Sequence, residues 1–365
     1  MELRIEKLRE YLSKLYNGEV TIEYVGELGK RKERKPEKEL KGFGYGTPYL
    51  IEFRVNGKKQ TVVLETMRIG EGFGHEHFSD RAKCLIWQNY AFNKLPKHVR
   101  SIDVGAFTKD ADLISVGKAE EFFVLVDKIE GEEYHKDLDR IASSGKITKL
   151  DLKRARTLSD YLVDIHAVKK DAPTLYIRRI RELLGDGEQI MGLIDSYPYE
   201  LDFTNQVELM EIEKGCLEWR WKLKSKTYRL SQVHGDYHPW NILFRKALDF
   251  TVLDRSRGEW GEPADDVAAL SINYIFYSLI NFGKLIGTFE ELFNVFMDNY
   301  LDKTHDQELL SVIQPFYVWR ALVLASPIWY PTLDKDVRRK LFNFIHNMLD
   351  IELFNTKEIN LYIKR

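Results

Sequence analysis

VHGDYHPWNILFRKALDFTVLDRSRGEWGEPADDVAAL, residues 233–270, joins a polar loop to two short apolar strands and the start of a helix. It opens with a loop containing Gly235 and Pro239, in which Asp236 stands five residues ahead of Asn241, and the loop runs directly into the apolar strand ILF. A second short strand, FTVLD, ends on Asp254. An antiparallel hairpin returns the chain to its start, so this pair of strands brings Asp254 back beside Asn241. The residue types then define a chemistry. Asp236 is a carboxylate able to orient and deprotonate a hydroxyl. The Asn241 amide oxygen and the Asp254 carboxylate are hard donors suited to a small, hard cation such as Mg2+ that keeps several of its waters. Phosphoryl transfer from a nucleotide asks for this combination, because it needs little covalent chemistry and close control of charge and position.

Outward from this segment the chain divides by periodicity. After a short amphipathic helix at 2–16, the first third reads as strands at 20–28 (VTIEYVGEL), 48–55 (PYLIEFRV) and 60–67 (QTVVLETM), with Asn56-Gly57 as a two-residue hairpin turn. A helix with Ser79 as its N-cap follows and stops before Pro96; then come two further strands, ADLISVG and EFFVLVDKI. From about residue 135 the pattern is mostly helical, interrupted only by the ILF/FTVLD pair. The expected fold class is therefore α+β, a small antiparallel β-rich front lobe (1–128) followed by a larger, mostly helical lobe (129–365) carrying the loop and hairpin.

Composition narrows the function classes. The chain has 365 residues, 44% of them hydrophobic, enough for a substantial core and for two or three compact units. Its 55 Lys plus Arg nearly balance 57 Asp plus Glu, for a formal charge of −2, so no global field attracts nucleic acid or an anionic membrane. Two cysteines, Cys84 and Cys216, form neither a disulfide framework nor a zinc spacing. With no membrane-length apolar run and no signal-peptide pattern at the start, a cytoplasmic protein is expected. The basic run at 30–41 is interleaved with Glu33, Glu37 and Glu39, which favours a solvated loop over a nucleic-acid surface. Oligomeric state is not legible.

HGDYHPWN resembles the catalytic loop of the aminoglycoside phosphotransferase and choline kinase group of the protein-kinase-like superfamily, and VLDRSRGEWGEPADDVA resembles the segment that supplies that group's second metal ligand. The resemblance is dense over roughly 40 residues, and the order of lobes agrees with it. It implies a two-lobed kinase-like fold and a kinase that moves the γ-phosphate of ATP or GTP to a hydroxyl of a small molecule. Asp236 is then the base, and Asn241 and Asp254 hold magnesium. Asp266 corresponds to an Asp that buttresses the catalytic loop, and His234 to a structural histidine behind the site. EFFVLVDKIEG resembles the interlobe connector, where backbone groups from Leu125 to Asp127 would receive the nucleotide base. DIHAVK, 164–169, resembles an early back-lobe helix, with His166 read as a core residue. Gly42, Gly44 and Gly46 would let backbone amides approach the phosphates.

Three departures stand out. Where the group carries a phosphate-pairing Lys at the end of its third strand, VVLE places Glu65. The phosphate-covering segment, 29–46, is long and charged. Asp254 is followed by Arg255-Ser256-Arg257 rather than by an aromatic and an acid. A substitute cation is sought among Arg68, His75, His77, the lysines of 30–41 and the Arg255 segment, with a permanent cation from the last two favoured. His238 suits either loop packing or substrate contact. The rival reading, motivated by Glu65, is a nucleotide-binding pseudokinase or regulator with weak activity; a third is an RNA-associated protein acting through the 30–41 loop.

Overall fold

The computed structural model describes residues 3–28, 48–69 and 74–364. The chain divides into two compact units, Met1–Val126 and Asp127–Arg365.

The first unit begins with α1 (Ile5–Tyr16), whose Leu8 and Leu12 lie one turn apart on its buried face. The helix ends where Asn17 turns into the left-handed region at φ 49°, a conformation Asn tolerates better than most residues. Strands β1 (Val20–Glu27), β2 (Tyr49–Val55) and β3 (Lys58–Leu64) form an antiparallel sheet in that order. Asn56 (φ 48°) and Gly57 (φ 80°) close the β2–β3 turn, the positive-φ pair that matches strand twist in a two-residue hairpin. Along β2, Ile51 and Phe53 alternate with Glu52 and Arg54, so one sheet face packs on α1 together with Val20, Val62 and Leu64. Full burial of a side chain such as Phe53 is worth about 1.5–3 kcal/mol. After α2 (Phe78–Phe92), a short hairpin pairs β4 (Gly105–Phe107) with β5 (Leu113–Ser115).

Two elements differ from the expectation. Helix α2 is capped by His77 rather than Ser79; the His77 side chain accepts from the Ser79 amide, and Asp80 returns to the His77 amide at 3.1 Å. The run EFFVLVDKI is not a strand. Among the described residues no strand pairs with its backbone, and Leu125 is 90% exposed. An apolar run has strand length and composition, but it becomes a strand only where a ladder partner takes its N–H and C=O groups.

The second unit is mostly helical: β6 (Glu132–Glu133), α3 (Tyr134–Ser144), α4 (Lys149–His166), α5 (Pro173–Gly185), α6 (Ile190–Asp195) and α7 (Gln206–Leu223) precede the functional segment. That segment contains β7 (Ser231–Gln232), β8 (Ile242–Phe244), β9 (Phe250–Val252) and β10 (Trp260–Gly261), followed by α8 (Pro263–Phe282). The remaining helices are α9 (Gly287–Thr304), α10 (Gln314–Ala325), α11 (Lys335–Asp350) and α12 (Ile359–Tyr362). Helix α8 is buried on all sides from Ala264 to Leu279 with few exceptions, as expected of a helix apolar all round. It forms the axis of the unit, with α9 and α10 against it. The α+β class is thus the one anticipated, a small antiparallel unit followed by a larger helical one. No helix among the described residues is long and apolar enough to cross a membrane.

Candidate active site

The loop between β7 and β8 is held at both ends by backbone pairing. β7 pairs with β10, and the Val233 amide donates to the Glu259 carbonyl at 3.1 Å. β8 pairs with β9 in the register Ile242↔Val252, and the Leu253 amide donates to the Asn241 carbonyl at 2.8 Å. The hairpin therefore returns the chain so that Asp254 follows directly on the residue bonded to Asn241. Asp254 has φ 56°, a left-handed conformation uncommon for a residue with a side chain. Among the described residues its carboxylate has no hydrogen-bond or ion-pair partner.

Asp266, in the first turn of α8, is fully buried and fixes the loop from behind. Its Oδ2 accepts from the His234 amide and its Oδ1 from the Gly235 amide, both at 2.7 Å. His166 Nε2 lies 3.1 Å from the same carboxylate, while its Nδ1 meets the Tyr300 hydroxyl at 2.8 Å. Burial alone would push the Asp266 carboxyl up; the bond and charge of His166 and the two backbone donors outweigh it and hold the group below its ordinary value. Gly235 takes φ +88°, and a Cβ there would meet Arg257 Cβ at 3.3 Å, so the turn requires glycine. His234 Nδ1 accepts from the Asp236 amide at 3.2 Å, and burial lowers its pKa, so this ring is a neutral loop support.

Asp236 is 8% exposed. Its two oxygens are treated differently. Oδ1 takes two guanidinium donors, Arg257 Nη1 at 2.6 Å and Arg320 Nη1 at 2.7 Å. Oδ2 has only long approaches, His238 Nε2 at 3.4 Å and Asn241 Nδ2 at 3.5 Å. Burial pushes this carboxyl up, but His238, Arg320 and Arg257 together hold it well below the usual carboxylate range. Asn241 Nδ2 donates to the Asp236 carbonyl at 3.1 Å. That contact fixes the amide orientation and, among the described residues, leaves the Asn241 carbonyl oxygen free of hydrogen bonds.

Arg320 and its partner Asp265 are parts of the site that the sequence reading missed. Arg320 lies on α10, far down the chain, and its Nη2 also donates to Asp265 Oδ1 at 2.8 Å and to the Gly235 carbonyl at 3.1 Å. One signal was available: Arg320 is the single charge in QPFYVWRALVLA, and a charge inside an apolar helix is buried only when paired. Arg257, one of the arginines after Asp254, engages Asp236 directly. Arg255 is committed to the backbone, with Nε on the Val233 carbonyl at 2.9 Å and Nη2 on the Glu259 carbonyl at 3.0 Å. Trp240 stacks on His135 with centroids 5.0 Å apart.

The other sequence candidates belong to other parts of the chain. Glu65 follows the end of β3 and is exposed, as is Arg68. The His75 carbonyl accepts from Arg81 at 2.8 Å, and His77 caps α2. Leu125 lies one residue before the end of the first unit, and Asp127 opens the second. Gly42, Gly44, Gly46 and the lysines of 30–41 lie outside the described residues. Among the described residues, no group of three or more His, Cys, Asp or Glu is arranged to hold a metal. A site built from Asn241 and Asp254 supplies only two protein ligands.

The loop, its hairpin and the helix behind it form one connected arrangement around Asp236. Residues 106–282 match the model described as the phosphotransferase enzyme family. Similar solved structures include amicoumacin kinase hAmiN in complex with AMP-PNP, Ca2+ and Ami, at 15% identity and TM-score 0.43, covering 92% of this chain and 91% of that one. Plasmodium vivax ethanolamine kinase is similar at 12% identity and TM-score 0.35 (87% and 78% covered), and choline kinase LicA from Streptococcus pneumoniae at 13% and 0.34 (94% and 98%). No curated protein matches the chain significantly.

Proposed function

We propose that this protein is a magnesium-dependent kinase that transfers the γ-phosphate of ATP or GTP to a hydroxyl of a small molecule, with Asp236 as the acceptor of the hydroxyl proton. The observation that carries the reading is the pairing of an Asp236–Asn241 loop with a hairpin that returns Asp254 to it, inside a stretch of the phosphotransferase family.

The residues fit the metal. The free carbonyl oxygen of Asn241 and the unpartnered carboxylate of Asp254 are both hard oxygen donors, and two protein ligands suit an ion that completes its shell with water and phosphate oxygens. Magnesium bound there supplies charge neutralisation for the transferring phosphoryl group. Asp236 Oδ2 receives the hydroxyl, since Oδ1 is already filled by two arginines. A carboxylate held so low is a weak base, so its first task is alignment. As the acceptor oxygen bonds to phosphorus and the bond to the leaving nucleoside diphosphate breaks, the hydroxyl proton becomes acidic and passes to Oδ2. The backbone from Leu125 to Asp127 is assigned to the nucleotide base, and Gly42, Gly44 and Gly46 to its phosphates. With Arg255 committed to backbone carbonyls, the phosphate-pairing cation is assigned to the 30–41 segment. We place the protein in the cytoplasm.

The test is a thermal-shift titration with ATP, in magnesium and in EDTA. The wild type gains a magnesium-dependent increment in Tm, and Asp254→Ala loses it, because the variant lacks the only charged protein ligand. An equal increment in both would remove Asp254 from the site. The rival reading, a nucleotide-binding regulator motivated by Glu65, expects the same shift but no magnesium-dependent phosphate release.

A further inference from the structure

We propose that the buried Arg320 and its half-buried partner Asp265 form a positioning pair that grips the Asp236 carboxylate by Oδ1 and so presents Oδ2 to the phosphoryl acceptor. The inference rests on the kinase reading above and adds to it two residues that act through Asp236. Arg320 lies beyond the 106–282 stretch that matches the family, so the family match assigns it nothing.

The geometry is that of a bracket. Arg320 is 7% exposed, and its guanidinium lies over the Trp319 ring, 3.8 Å from the centroid. Nη1 reaches Asp236 Oδ1 at 2.7 Å, and Nη2 reaches Asp265 Oδ1 at 2.8 Å and the Gly235 carbonyl at 3.1 Å. Asp265 precedes the buttressing Asp266 on α8, so the bracket is anchored to the helix that already fixes the loop backbone. A planar guanidinium can span two carboxylates and a carbonyl with its orientation fixed, whereas a lysine ammonium is a single point charge on a flexible stem.

A pair of this kind is a poor device for stability. Desolvating the charges offsets their attraction, and apolar replacements of whole buried pairs are often neutral or stabilising. The loop backbone moreover has its own support, with Asp266 accepting from two loop amides. What Arg320 alone provides is an inner hold on the Asp236 side chain, opposite Arg257, which is more exposed on Oδ1. With both donors on one oxygen, rotation of the carboxylate is blocked and Oδ2 stays on the side of His238 and Asn241. A displacement of about 1 Å at such a group costs about a hundredfold in rate.

The experiment compares wild type, Arg320→Lys, Arg320→Met, the double variant Arg320→Met/Asp265→Asn, and Asp236→Asn. Each is measured for magnesium-dependent release of inorganic phosphate from ATP, with kcat and KM for ATP separated, and for Tm. Arg320→Met leaves the half-buried Asp265 uncompensated, so both Tm and kcat fall. The double variant removes the uncompensated charge and recovers Tm. Its kcat stays lower than wild type by about tenfold to a hundredfold, with KM for ATP within about twofold, and Arg320→Lys regains part of the loss. If kcat in the double variant returns to the wild-type value along with Tm, Arg320 is a structural residue and the proposal is wrong. If Asp236→Asn releases phosphate like the wild type, or the wild type releases none, the kinase reading falls and the pair's role falls with it.

Discussion

Asp236 can be placed because its neighbours are arranged by types of bond that the sequence only half discloses. The Asp at 236 and the Asn at 241 were legible from spacing, since a carboxylate and an amide five apart in a Gly- and Pro-containing loop ahead of a strand suit one chemistry. The Asp266 buttress entered through resemblance, and the structure supplies its physical content: a fully buried carboxylate taking two amides at 2.7 Å. That content makes a prediction. Asp266→Asn turns one acceptor into an NH2 facing a backbone N–H, which leaves a buried donor unpaired at a cost of about 1–3 kcal/mol. Urea unfolding of Asp266→Asn is therefore expected to give a lower midpoint with unchanged slope, and phosphate release is expected to fall with it. Wild-type stability in this variant would mean that Asp266 does not hold the loop.

Among the elements, those defined by local chemistry were legible and those defined by distant partners were not. The β2–β3 hairpin was readable from Asn56-Gly57, because positive φ at two successive positions is a local demand. The β8–β9 hairpin was readable from two short apolar runs, and α4, α5 and α7 from helical periodicity. The 121–129 run failed for the complementary reason: composition gives a strand its length, while its existence depends on a neighbour the sequence does not name. The N-cap of α2 moved from Ser79 to His77, where an imidazole nitrogen accepts from the Ser79 amide. Arg320 was missed because nothing near it in sequence shares its role; its partners are 84 and 55 residues upstream.

At the scale of the whole molecule, charge organisation sets the response to acid. In the helical unit Glu208 is lowered to about 2: burial opposes this, and His346 and Arg339 outweigh it. Glu308 is also lowered to about 2, again against burial, by Lys226, Tyr228 and Arg229. Asp236 and Asp266 are lowered as well. Groups whose folded pKa is depressed contribute stability that is present above their unfolded values and lost as pH falls through the folded ones. Asp265 runs the other way. Burial pushes it up to about 6, against Arg320, so its contribution is lost as pH rises from 3.8 towards 6. Glu213 is likewise raised by burial. Because the lowered carboxyls outnumber these two, Tm is expected to fall progressively below about pH 4.5 towards pH 2. Glu208→Gln should flatten part of that slope. A Tm unchanged from pH 5 to 2 would contradict the charge assignments.

The same unit carries Asp236, Asn241 and Asp254, so the claim that they form a phosphotransferase centre meets its most direct test in turnover. The measurement is transfer of labelled γ-phosphate from ATP, in magnesium, to water and to a library of hydroxyl-bearing metabolites, for wild type and Asp236→Asn with matched Tm and nucleotide affinity. Labelled product is expected from the wild type, and the variant is expected to bind nucleotide normally but turn over about a hundredfold or more slower. Turnover by Asp236→Asn close to that of the wild type would contradict it.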